Sequence, residues 1–477
     1  MMAMCGQIKG GNTTFKESIE AGISPKVSSL SCTSIFSKYI FDLIKNETKE
    51  FVDLSLLVAQ SFNPLNSEME KYLSIGLLSS EDGKNHREPL NLVLVIDVSG
   101  SMSSSLGVDK WYKKANSKLD LAKSCVKNIY SKLSDNERLG VLSFNDSSEI
   151  ILKMQSKKNI KKSEFFKNVD SLTAGGGTSL EAGYKPAIDM IKQQISEDVE
   201  YKTKDSLPIN HRIIFITDAM INNGDESDLL YNLNQNSSAK PFNIFTTFIG
   251  VGIDFDTDLI AKLTKVRGSN YFAVHSDDEF VKTLDDDFNY MVTPLCFDVY
   301  VKVDSKRFMI ERTFGSEFDF EGEEKADSLL EMKKGGILRV ETLSAYEKTK
   351  GGIKGGVVLV KLKEKLEKND EDNQDHQIFV TVEFEDIRGE KHVVKKEMNG
   401  KIDEKGDFFP SSGVRKALLL SRYVTFVKEF LEKEKIKVKE TKGKTEFLSY
   451  FEKESAIIGD KLLKEEYDNM KDLLSLK

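Results

Sequence analysis

The stretch with the most chemistry to offer is Asp97-Val98-Ser99-Gly100-Ser101, set in the run LNLVLVIDVSGSMSSS from Leu90 to Ser105. One carboxylate and two hydroxyls stand at alternate positions, and Gly100 between the hydroxyls permits a tight turn. Such spacing can aim three oxygens at one point. Oxygen-only donors suit a hard divalent cation, Mg2+ or Ca2+, better than zinc or copper. The plainer alternative is a strand-to-helix turn whose serines cap the next helix.

The element that must position these groups is the apolar run Leu90 to Ile96. Its Val, Ile and Leu content fits a strand buried on both faces of a parallel sheet, and ligands of such sheets sit beyond the strands' C-terminal ends. The spacing Asp97-x-Ser99-x-Ser101 resembles the metal-ion-dependent adhesion site of von Willebrand factor type A domains. In that family a Thr in a Gly-rich loop and an Asp after a further buried strand complete the site. Their counterparts here are Thr178 in TAGGGTSLEAG (Thr173 to Gly183) and Asp218 in RIIFITDAM (Arg212 to Met220).

The resemblance implies a doubly wound, mostly parallel α/β domain binding Mg2+ (or Ca2+ or Mn2+). Ser99, Ser101 and Thr178 would coordinate through their hydroxyls, with Asp97 and Asp218 acting directly or through waters. It also implies a protein partner that presents Glu or Asp, because two acids among neutral hydroxyls do not fully quench a dication. One departure stands out. The family commonly has Thr-Asp-Gly where this chain has Thr217-Asp218-Ala219, and Ala narrows the backbone choices of the loop that carries Asp218.

The rest of the 477 residues sets the frame. That length implies two or three domains. A net charge of -8, from 69 basic and 77 acidic side chains, argues against sequence-independent nucleic-acid binding. The Lys-rich run Lys433 to Lys444 reads as a solvated helix end or linker. No apolar run approaches the roughly 18 residues of a spanning helix, and no secretory h-region is visible, so a cytoplasmic location is expected. Cys5, Cys32, Cys125 and Cys296 are scattered without metal spacing and read as reduced structural thiols.

In chain order, residues 1–50 are expected to be a poorly ordered arm with a short amphipathic helix at Ile35 to Ile44. Phe51 to Ala59 and Tyr72 to Leu78 read as strands with no nearby partner. Residues 88–293 alternate strands and helices, as a doubly wound sheet requires. Expected helices include Leu119 to Leu133, Leu180 to Ile195, Leu259 to Val266 and Glu279 to Tyr290. Residues 294–400 hold short alternating strands without helices, an antiparallel block that the two early strands would complete as a β-sandwich. The α/β domain would then be inserted in that sandwich. Residues 411–477 are expected to be helical, with Ser411-Ser412 as N-caps and a break near Gly459. This layout resembles soluble type A proteins distantly related to inter-α-trypsin-inhibitor heavy chains and calcium-activated chloride-channel regulators.

The function expected is a divalent-metal-dependent protein-interaction module, without catalysis. A metal-dependent hydrolase or phosphatase is the alternative, as is a structural subunit with a metal-free type A scaffold. Against catalysis, Asp97 lacks the second acid two residues on that haloacid dehalogenase-like phosphatases use. No Gly-x-x-x-x-Gly-Lys-[Ser/Thr], Gly-x-Ser-x-Gly or His-Glu-x-x-His occurs, and His275 reads as structural.

Overall fold

The computed structural model describes residues 2–5, 8–9, 15–16, 18–19, 22–43, 50–80, 88–105, 117–201, 209–218, 226–239, 243–251, 259, 262–263, 266–274, 288, 292–315, 337–345, 353–354, 356–365, 377–398, 405–435 and 443–476. The chain forms two compact units. One comprises Cys5–Gly10 and Gly83–Pro294, and the other comprises Met1–Met4, Gly11–Asp82 and Leu295–Lys477.

In the first unit a seven-stranded sheet runs, in space, Ile8–Lys9, Asn270–Val274, Ile244–Val251, Asn210–Thr217, Leu90–Asp97, Arg138–Phe144, Ser148–Ser156. All neighbouring strands are parallel except the last pair, a hairpin. Every residue of Leu90–Asp97, Asn210–Thr217 and Ile244–Val251 is buried, which is why Leu92 to Ile96 and Ile213 to Ile216 read as continuous apolar runs rather than alternating ones. Val93 and Val95 face Tyr184, Ile188 and Ile191 of the helix Leu180–Tyr201 and Leu229 and Leu233 of Glu226–Ser237. The opposite face receives the helix Lys118–Lys132, with Leu121, Ala122, Cys125 and Ile129 buried. That helix starts where Ser117 accepts from the Asp120 backbone N–H and Asp120 reaches back, a reciprocal cap.

The central strand Leu90–Asp97 and its neighbour Asn210–Thr217 send their following helices to opposite faces of the sheet. They run in register, with Ile96 beside Ile216, so Asp97 and Thr217 end side by side at the point where the winding reverses. The expected helix Glu279 to Tyr290 lies outside the described residues except Phe288, and so does His275; Leu259 to Val266 is described only in part.

The second unit is an antiparallel β-sandwich with helices. Its four-stranded sheet has the order Phe308–Phe314, Val357–Glu364, Met69–Leu78, Asp53–Phe62, and its five-stranded sheet the order Met2–Cys5, Ile337–Ala345, Pro294–Ser305, Ile378–Asp386, Lys391–Glu397. The two early strands pair with each other over their whole length, and Val357–Glu364 then pairs with the second of them. Alternate residues divide between two cores. Leu54, Val58, Leu73 and Ile75 pack with Val299, Val301, Val380 and Val382 of the five-stranded sheet. Leu57, Ala59 and Tyr72 pack under Leu418, Leu419, Tyr423 and Phe451 of the C-terminal helices. A sheet covered on both faces explains why Leu54 to Ala59 lacks polar alternation.

The tail is three helices, Ser412–Lys435, Lys444–Ile458 and Leu463–Ser475. Ser411 caps the first through the Val414 N–H, and Gly459, at φ 73°, ends the second in the left-handed conformation that glycine adopts freely. The Lys-rich run Lys433 to Lys444 lies largely outside the described residues.

The N-terminal segment departs from expectation. Phe15, Ile19, Leu30 and Cys32 are buried in the core beneath the tail helices. The helix is Cys32–Phe36, not Ile35 to Ile44: Ser31 and Ser34 cap it reciprocally, so it starts three residues early. Ile40–Phe41 then extends and pairs with Ile353–Lys354. Cys32, Cys125 and Cys296 are buried. Among the described residues no helix is long and apolar enough to cross a membrane.

Candidate metal centre

Three pieces of chain meet beyond the C-terminal ends of Leu90–Asp97 and Asn210–Thr217. The first is Asp97 with the single 3-10 turn Gly100–Ser103. Asp97 and Ser99 are fully buried, and Ser101 is half-buried. The Ser99 N–H donates to Asp97 Oδ1 at 2.8 Å, closing a tight loop in which Ser99 Oγ and Ser101 Oγ come within 3.1 Å. Met102 is fully buried and anchors the turn. The hydroxyls therefore converge, as alternate spacing allows.

The second piece is the Gly-rich loop. The Gly175 N–H donates to the Val98 carbonyl at 2.7 Å, and the Gly100 N–H to the Gly176 carbonyl at 3.0 Å, so the two loops are laced together by their backbones. From outside, Asn145 Nδ2 donates to the Gly175 carbonyl and Asp146 Oδ2 accepts from the Gly177 N–H at 2.7 Å. Gly176 has φ +83°, and a Cβ there would lie 2.8 Å from Asp146 Oδ2. Only glycine fits this clamp. Thr178 follows directly and is 5% exposed.

The third piece is Thr217-Asp218. Thr217 Oγ1 donates to Asp97 Oδ2 at 2.6 Å, joining the two strand ends through side chains as well as register. Asp218 is fully buried, and Lys118 Nζ donates to its Oδ2 at 3.1 Å. Its Oδ1 has no hydrogen-bond partner among the described residues. Ala219 and the loop after it lie outside the described residues.

Burial raises the Asp97 carboxyl to about 6; the hydrogen bonds from Thr217 and Ser99 pull against this, and the neighbouring Asp218 adds to it. Two buried carboxylates thus stand close enough to feel each other, with hydroxyls around them and one carboxylate oxygen unsatisfied. Such a donor set suits a hard cation. Beside it a polar cleft opens, lined by Val98, Asn145, Ser147, Glu149, Asn168 and Thr173.

Sequence reasoning brought forward Asp97, Ser99, Ser101, Thr178 and Asp218, and the structure gathers the loops that carry all five. Hydrogen bonds link Asp97, Ser99 and Ser101, whereas Thr178 is placed by its loop. Reasoning from sequence missed Thr217 as a partner of Asp97, the Asn145–Asp146 clamp, and Lys118. A lysine opening a helix, against the helix dipole, was the available signal for Lys118. In the other unit Asp386, Glu390 and His392 also converge within 4.8 Å. There Asp386 accepts the Arg388 and Glu390 N–H groups and lies 2.9 Å from His392 Nε2, so a hairpin turn and a side-chain hydrogen bond account for the grouping.

The von Willebrand factor type A domain model matches residues 91–287. An uncharacterized protein of Synechocystis sp. is 24% identical over 233 residues, which is 49% of this chain and 49% of that protein. The uncharacterized protein YfbK of Escherichia coli is 22% identical over 239 residues, 50% of this chain and 37% of that one. The matches thus span half or less of these relatives. Among solved structures, a von Willebrand factor type A protein from Catenulispora acidiphila superposes with TM-score 0.46 at 12% identity, covering 76% of each chain. The match over residues 91–287, together with the motif and the strand order, shows that this chain carries a von Willebrand factor type A domain.

Proposed function

We propose that the type A domain is a divalent-cation-dependent protein-interaction module. Asp97, Ser99, Ser101, Thr178 and Asp218 hold Mg2+, and the ion receives a Glu or Asp carboxylate from a protein partner. The observation that carries this reading is the pairing of two fully buried acids, Asp97 and Asp218, with the convergent Ser99 and Ser101 hydroxyls. Burying two carboxylates is costly unless a cation offsets them, and a hard ion among oxygens does so. Mg2+ keeps waters in its octahedron, which leaves a position for an incoming carboxylate.

The reading is of binding without turnover. The test is retention of a partner from native lysate on the full chain, in Mg2+ and in EDTA, with Asp97→Ala alongside. Retention should require both Mg2+ and Asp97. A partner held equally in EDTA or by the variant would contradict the reading. A phosphatase screen with p-nitrophenyl phosphate and Mg2+ should show no turnover above the Asp97→Ala background, and turnover lost in the variant would favour the hydrolase.

A further inference from the structure

We propose that Lys118 is a tethered competitor for the ion: its ammonium occupies Asp218 when no divalent cation is bound, and the cation must displace it to load the site. This rests on the metal-binding reading above and adds a residue that sets how tightly, and when, the ion is held.

Lys118 is the first residue of the helix Lys118–Lys132, immediately after the N-cap Ser117. The aligned peptide dipoles make this a positive helix end that disfavours a further cation. The side chain is nevertheless 3% exposed, with Nζ 3.1 Å from Asp218 Oδ2. A long, strongly hydrated side chain is not buried at a repulsive helix end without a compensating charge, and the compensating charge is Asp218. The backbone adds a second tie. The Lys118 N–H donates to the Ser104 carbonyl at 2.9 Å, fixing the helix start to the turn that carries Ser101. The ammonium is thus held against Asp218, and its helix start is tied to the turn that carries Ser101.

Charge balance governs loading of the ion. Asp97 and Asp218 supply two negative charges at most, and Lys118 already answers one of them. A dication entering the same buried space meets a like charge in a medium that screens it poorly. Loading therefore requires the charge-assisted hydrogen bond from Lys118 to break and its ammonium to move out toward solvent. Four carbons of stem make that swing available without moving the helix. The consequence is an ion affinity set roughly ten- to hundredfold lower than the oxygens alone would give, the range of one hydrogen bond to a charged group. An ion held at that strength is retained best when a partner carboxylate joins it, so ion and partner load together.

The experiment uses the full chain with Mg2+ alone as the probe. Calorimetric titration should give a Kd at least tenfold lower for Lys118→Gln than for wild type, while Lys118→Arg, which keeps the charge, should not tighten binding. Because a substitution at a buried site can disturb folding, a second measurement uses the wild-type chain. Acetic anhydride labelling of lysines, read by mass spectrometry, should find Lys118 protected in EDTA and several-fold more reactive with Mg2+ above its measured Kd. Lys161 and Lys162, exposed elsewhere in the domain, should label equally in both. Equal or weaker Mg2+ binding by Lys118→Gln, or Lys118 still protected when Mg2+ is bound, overturns the role of Lys118 and leaves the metal site standing. No Mg2+ binding by either wild type or Lys118→Gln overturns the metal site and this inference together.

Discussion

Replacing Asp97 by Asn separates what the site does for binding from what it costs the fold. In the folded chain burial holds the Asp97 carboxyl at about 6, above its ordinary value of 3.8. A folded-state value above the unfolded one means that ionising Asp97 disfavours the native state. The associated stability is intact below about pH 4 and is lost as pH rises through about 6. At roughly 1.4 kcal/mol per unit, the loss approaches about 3 kcal/mol by pH 7.5. Asn does not ionise and escapes it. Its amide must face Thr217, which now donates to Asp97 Oδ2 at 2.6 Å, and turning that hydroxyl round costs about 1 kcal/mol. In EDTA at pH 7.5, Asp97→Asn should therefore be more stable than wild type by about 1–2 kcal/mol. The assay is urea unfolding followed by fluorescence of Trp111, the single tryptophan, which lies within residues 91–287. At pH 4.5 the advantage should shrink or vanish. With Mg2+ the order should reverse, since only wild type gains from the ion. An Asn variant less stable than wild type in EDTA at pH 7.5, or a difference that ignores pH, would refute the reasoning.

Three further outcomes are expected from packing and charge. A Cβ at Gly183 would sit 2.8 Å from Val95 Cγ1 and 2.9 Å from Phe144 Cγ, so Gly183→Ala should destabilise the domain by about 1–2 kcal/mol despite better helix propensity, read by the same Trp111 melt. Arg422 holds the buried Glu70 at 2.7 Å and also reaches Tyr450; Arg422→Met should cost about 3 kcal/mol in thermal unfolding of the full chain, and less in a Glu70→Gln background. Deleting residues 1–85 removes two of the four strands of one sandwich sheet, including the one that pairs with Val357–Glu364, and the strand Met2–Cys5 of the other, so loss of cooperative melting in the β block is expected while Trp111 still reports a folded domain.

The parts of the fold that were legible in the sequence are those where one period dominates. Leu92 to Ile96 and Ile213 to Ile216 are unbroken apolar runs because both faces are covered, and Asp97 and Asp218 fall just past them, so strand, end and candidate ligand were visible together. The break at Gly459 was visible because glycine alone marks a left-handed helix end cheaply. The N-terminal segment was not legible. Phe15, Ile19 and Leu30 are buried although the segment around them is rich in Ser, Thr, Lys and Gly, so no sustained apolar stripe announced them. The start of Cys32–Phe36 was likewise set by two serines rather than by the apolar stripe. At the site, type and spacing revealed the oxygens, whereas Thr217 and Lys118 reach it across strands and from a distant helix start. Contacts between residues 100 or more positions apart have no local signature.

The central claim is that Asp97 and its neighbours bind a divalent cation. Isothermal titration of the full wild-type chain and of Asp97→Ala with Mg2+ tests it most directly. Wild type should bind one ion per chain, and the variant, with the fold verified by its Trp111 melt, should bind none. No binding by wild type, or the same affinity in both, would contradict the account.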